Sequence, residues 1–75
     1  MVSLISNFAA ILDNVTEGYP VTVTRVDGFT YVISMARTNG DEVYSYQFGR
    51  IKRDFRCLED LVSAIIRFDF VSIKF

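Results

Sequence analysis

Arg50, Lys52, Arg53 and Arg56 place four cations within seven residues, the densest group of side chains in this chain that could do chemistry. Arginine pairs bidentately with carboxylate or phosphate, so the cluster suits an acidic protein surface or a nucleic-acid backbone. The plainer alternative is a solvated corner neutralised by Asp54, Glu59 and Asp60. Catalysis has little to draw on. The chain has no histidine, which removes the commonest general base and the Ser-His and Cys-His nucleophile pairs. One cysteine without histidine cannot build a structural zinc site. Asp41, Glu42, Glu59 and Asp60 lack calcium-loop spacing and read as solvating charges. Gly18, Gly28, Gly40 and Gly49 are isolated turn or cap glycines with no phosphate-cradling pattern. Cys57 lies near Arg53 and Arg56, where cations can lower a thiol pKa. Without a base or a second thiol it reads as a small, half-buried apolar residue. The expectation is a protein that is not an enzyme and needs no metal or cofactor.

At 75 residues the chain is one domain, 1–75, and a domain this small buries only about 60% of the surface its unfolded chain exposes. A composition 51% hydrophobic and 15% aromatic is rich for that interior, leaving apolar area for a partner or a second copy. The net charge of −1 excludes binding to nucleic acid by bulk phosphate neutralisation alone. A lone cysteine forms no internal disulfide, which points to a reducing compartment, with the cytoplasm as the expectation. Met1 to Val15 lacks the basic start of a signal peptide and is interrupted by Ser3, Ser6, Asn7 and Asp13. No run approaches the roughly 18 to 20 apolar residues of a membrane span, so a soluble chain is expected.

Positioning these residues requires helices at both ends and strands between. Leu4, Ile5, Phe8, Ile11, Leu12 and Val15 form one helical stripe, with Ser3 as N-cap, Val2 as staple residue, and Gly18 and Tyr19-Pro20 as the stop. Residues 21–26, 29–37 and 42–48 are rich in Val, Thr, Tyr, Ile and Phe and read as an antiparallel meander. Phe55, Leu58, Leu61, Val62, Ile65 and Ile66 form a second stripe in a helix from Asp54 to Phe68, which places Arg53 and Arg56 around its first turn, against the helix dipole. Val71, Ile73 and Phe75 alternate against Ser72 and Lys74, as in a short closing strand. The expected fold is α+β, a two-layer sandwich with both helices on one face of a three-stranded meander. Phe8, Leu12, Ile33, Leu61 and Ile65 are its expected core.

Asp27-Gly28 and Asn39-Gly40 are hairpin signals that set the register. A two-residue Asp27-Gly28 loop pairs Val26 with Phe29, Thr24 with Tyr31 and Thr22 with Ile33. A two-residue Asn39-Gly40 loop pairs Met35 with Tyr44, Ile33 with Tyr46 and Tyr31 with Phe48. One face then collects Phe29, Tyr31, Ile33, Met35, Tyr44, Tyr46 and Phe48. The other collects Val21, Val23, Arg25, Thr30, Val32, Ser34, Ala36, Val43, Ser45 and Gln47. Burying rings gains more than burying small side chains, so the aromatic face is expected under the helices, with its tyrosine hydroxyls at the rim of the cover. Arg50, Lys52, Arg53 and Arg56, with Tyr44 and Tyr46, are therefore the expected partner-binding residues.

This layout, a helix from Ser3 to Val15, a meander turning at Asp27-Gly28 and Asn39-Gly40, and a helix from Asp54 to Phe68, resembles small phage-encoded inhibitors of bacterial defence, including anti-CRISPR proteins. The resemblance is of plan, and it implies a non-enzymatic protein that blocks a host protein or nucleoprotein complex by occupying its surface. Two other functions fit the same residues: nucleic-acid binding through the basic cluster, and a structural homodimer joined at the small-residue face or by edge strands.

Overall fold

The computed structural model describes residues 1–75. The elements are α1 (Phe8–Thr16), β1 (Val21–Arg25), β2 (Thr30–Thr38), β3 (Asp41–Phe48), β4 (Ile51–Phe55), α2 (Leu58–Ile65) and β5 (Phe70–Lys74). The five strands form one antiparallel sheet in the order β4-β3-β2-β1-β5. The α+β class is thus as read from the sequence, but the three-stranded meander becomes four strands, with the closing strand returning beside β1.

α1 is shorter than its apolar stripe. Ser3 does act in a cap-like role, its hydroxyl oxygen accepting a 3.1 Å hydrogen bond from the Ser6 amide, but this closes a turn and the helix begins only at Phe8. The predicted stop holds: Gly18 has φ +92°, the Tyr19 amide donates to the Asn14 carbonyl at 2.9 Å and the Gly18 amide to Val15 at 3.1 Å. That pair of bonds is a Schellman ending, which a left-handed glycine permits.

The Asn39-Gly40 hairpin is as counted. Thr38 pairs with Asp41 around a two-residue loop, and both loop residues have positive φ, +53° and +84°. The first hairpin differs. Val23 pairs with Tyr31 and Val21 with Ile33, so the loop holds three residues, Val26, Asp27 and Gly28. The Gly28 amide donates to the Arg25 carbonyl at 3.0 Å, the Arg25 amide donates to Phe29 at 2.7 Å, and Gly28 has φ +92°. This is a turn closed by a glycine bulge, the usual three-residue connection. The extra residue reverses β1: Val21, Val23 and Arg25 join Tyr31 and Ile33, while Thr22 and Thr24 move to the other side.

Both helices cover this one face, α1 over β1 and β2, α2 over β3 and β4. The core joins Leu4, Ile11, Val15, Leu58, Leu61, Val62 and Ile65 to Val21, Val23, Tyr31, Ile33, Tyr44 and Phe70 of the sheet. Of the five expected core residues, Ile33, Leu61 and Ile65 are buried, whereas Phe8 and Leu12 are half-buried and pack on the core from its edge. The opposite face carries Thr22, Thr24, Ser34, Ser45 and Gln47 with no helix upon it. Ser45 is buried there by its neighbours, its hydroxyl 3.4 Å from that of Ser34.

Candidate functional site

β4 overturns the expected helical corner. Residues 51–55 pair with β3 as an edge strand after a two-residue turn, where Gly49 has φ +59°. α2 starts four residues later than expected, at Leu58, with Glu59 and Asp60 in its first turn, where acids suit the helix dipole. Arg53 therefore belongs to a strand and not to the first helical turn, and Arg56 precedes the N-cap Cys57. Strand alternation separates the basic cluster: Arg53 lies opposite Tyr46 on the covered face, and Lys52 opposite Gln47 on the bare face. Arg50 occupies the β3–β4 turn, and Arg56 lies at the other end of β4, in a recess shared with Asp41, Glu42 and Asp54. Charges along an edge strand also discourage pairing with foreign strands, which is a structural reason for their density.

Tyr44 and Tyr46 are not open platforms. Tyr44 is 6% exposed, and its hydroxyl points to Glu42 Oε1 at 3.5 Å. Burial, reinforced by the Glu42 charge and this hydrogen bond, raises the Tyr44 phenol above its ordinary pKa. Tyr46 is half-buried, edge-on to Tyr31 at 5.2 Å and stacked with Phe55 at 5.8 Å.

What the fold does assemble is an aromatic cluster around Arg25, at the end of the sheet carrying the β1–β2 and β3–β4 turns. The Arg25 guanidinium lies 3.9 Å from the Phe68 ring centroid, 5.3 Å from Phe29 and 5.8 Å from Phe48. It donates to the Tyr31 hydroxyl at 3.3 Å and pairs with Asp27. Burial works against its charge, but the bonds to Tyr31 and Asp27 outweigh this and raise its pKa further. Phe48 packs on Tyr31 at 4.7 Å and on Phe29 at 5.4 Å. The cluster forms one wall of a cleft of about 330 Å³ whose other side is the C-terminal end of α2, with Arg53 and Arg67 in its lining. The chain's ion pairs are Arg25–Asp27 and Arg37–Glu42, so Arg50, Arg53 and Arg67 have no carboxylate partner.

Around this end the surface is apolar. Val26, Phe29 and Ile51 are each 55% exposed, and Phe29 and Ile51 share a shallow groove with Phe48 and Arg50. Asp41, Glu42, Glu59 and Asp60 lie at the opposite end with Arg37 and Arg56, while Asp27 and Asp69 stand at the turn end with Arg25, Arg50 and Arg67. Sequence reading had placed Arg50 and Arg53 in the site but missed Arg25, Arg67, Phe29 and Phe68. Arg25 followed from the first hairpin register, had the Val-Thr alternation of β1 outweighed the Asp-Gly signal. Nothing local marked Arg67. No helix is long and apolar enough to cross a membrane. The chain matches no protein-family model, no curated protein and no solved structure.

Proposed function

We propose that this is a non-enzymatic binding protein that docks the turn end of its sheet on an acidic surface of a host protein or nucleoprotein complex and blocks it by occlusion. The observation that carries the reading is the exposed apolar group Val26, Phe29 and Ile51 at the end of the sheet that also holds Arg50, Arg53 and Arg67, none of which has an ion-pair partner. Apolar side chains supply affinity when desolvated, and flanking cations steer encounter and orient the docked surface. Occlusion as the mode of action is what the resemblance of the sequence's plan to phage-encoded inhibitors, anti-CRISPR proteins among them, implies.

The test is retention of a bacterial partner by immobilised protein. The wild type and a Lys74→Glu control should retain one stoichiometric partner. The folded Arg50→Glu/Arg53→Glu variant should bind it at least about tenfold more weakly, roughly 1.4 kcal/mol. Equal retention by the double variant refutes the surface assignment. Capture that vanishes after nuclease treatment and falls steeply with salt would instead favour direct nucleic-acid binding.

A further inference from the structure

The aromatic–arginine cleft has a chemistry of its own beside the docking surface. Two cations, Arg53 from β4 and Arg67 from the end of α2, line a space of about 330 Å³ with no carboxylate paired to either. Arg67 also stands 4.9 Å from the Phe68 centroid, so two guanidinium groups, Arg25 and Arg67, crowd one ring. The Arg25 charge is answered by Asp27; that of Arg67 is not. Like charges held together with one counter-ion are relieved by an anion. The recess at the other end of β4 differs, because three carboxylates, Asp41, Glu42 and Asp54, line it with the single cation Arg56.

The rest of the lining decides what kind of anion fits. The Phe68 ring is already taken by Arg25 and Arg67, but the half-buried Tyr46 and Phe48 leave ring surface in the lining, and nucleobases stack on such rings and on guanidinium planes with little regard to identity. The Tyr31 hydroxyl accepts from Arg25 and keeps its own proton to donate, which a base edge can accept and a plain phenyl ring cannot. The volume lies at the small end of the range of about 300 to 1,000 Å³ typical of ligand clefts.

We propose that this cleft binds a nucleoside monophosphate unit, its base against the wall of Tyr46 and Phe48 and its phosphate at Arg53 and Arg67. Arg25 is a positioning residue, fixing the aromatic wall through Phe68, Phe48 and Tyr31. The unit is either a free nucleotide or one nucleotide of a single strand. The proposal shares the turn end with the docking reading and is separable from it.

Calorimetric titration of the purified protein tests it, with the four nucleoside monophosphates, a nucleoside, inorganic phosphate, phosphotyrosine and a short single-stranded oligonucleotide as probes. Saturable nucleotide binding is expected, at least tenfold tighter than nucleoside or phosphate alone. Arg67→Gln and Arg53→Gln should each weaken it at least tenfold, and Lys74→Gln should leave it unchanged. Tighter binding of the oligonucleotide than of any monophosphate identifies the strand as the source; the reverse order identifies the free nucleotide. The proposal is overturned by absence of saturation below about 1 mM, by phosphate binding as tightly as nucleotide, by phosphotyrosine binding more tightly than any nucleotide, or by folded arginine variants that bind like wild type. The wild-type ligand series decides even if a variant fails to fold. Lost nucleotide binding in Arg67→Gln with partner retention intact leaves the docking reading standing; lost partner retention with intact nucleotide binding does the reverse.

Discussion

Exchanging the alternation of β1, as Val21→Thr/Thr22→Val/Val23→Thr/Thr24→Val, tests the register of the first hairpin. With the three-residue loop, Val21 and Val23 pair with Ile33 and Tyr31 on the covered face, so the exchange puts two threonines beneath the helices and two valines on the bare face. Val21 and Val23 are both 0% exposed. Threonine keeps the shape of valine but buries a hydroxyl, which costs about 1 to 3 kcal/mol where it finds no partner, so the pair costs about 2 to 6 kcal/mol. A domain of 75 residues has about 4 to 11 kcal/mol in total at the usual 0.05 to 0.15 per residue. The exchange should therefore remove about half of the stability and lower the Tm by more than about 10 °C. Deleting Val26, by contrast, leaves Asp27-Gly28 as a two-residue loop between Arg25 and Phe29, which already face each other, and keeps every β1–β2 pair, so it should cost clearly less than the exchange. Thermal and urea unfolding of the two variants read this difference. An exchange variant at least as stable as the wild type would refute the register argument and with it the placement of Arg25.

Ile33→Ala and Leu61→Ala, both at residues 0% exposed, should each cost about 2 to 5 kcal/mol, and Leu12→Ala clearly less, by urea denaturation. Gly40→Val should destabilise although its Cβ would meet nothing within 4 Å, because φ +84° alone costs an L-residue about 1 to 2 kcal/mol; an unchanged Tm refutes this. Tyr44 has a raised pKa in the folded state, so the unfolded chain loses its phenolic proton first. Its contribution is complete below the ordinary tyrosine pKa of about 10 and is lost as pH rises through the folded value. Alkaline titration followed by tyrosinate absorbance should show one late group that Tyr44→Phe abolishes. Unfolding in alkali should be correspondingly delayed in Tyr44→Phe, and identical curves would contradict the assignment.

Much of the fold is local and so was legible in the chain. The two helical stripes, the glycine stop at Gly18, the Asn39-Gly40 turn and the aromatic face each depend on residues within a few positions of one another. β4 was not legible, because Ile51 to Phe55 carries Lys52, Arg53 and Asp54, and an edge strand with one bare face needs no apolar alternation. Two local signals conflicted in β1. Asp27-Gly28 favoured a two-residue loop, while alternating Val21 and Val23 favoured burial; packing against α1 decides for burial, since two valines outweigh a turn preference. The turn end of the sheet lies beyond any local pattern. Arg25, Arg53 and Arg67 come from β1, β4 and the residue after the C-cap of α2, and meet only because β5 returns beside β1 and carries that end of the chain back to the first hairpin. Residue type and spacing determined which side chains could bind; the long-range pairing of the sheet decided which of them stand together, because a strand's partner is set by tertiary packing and not by its own sequence.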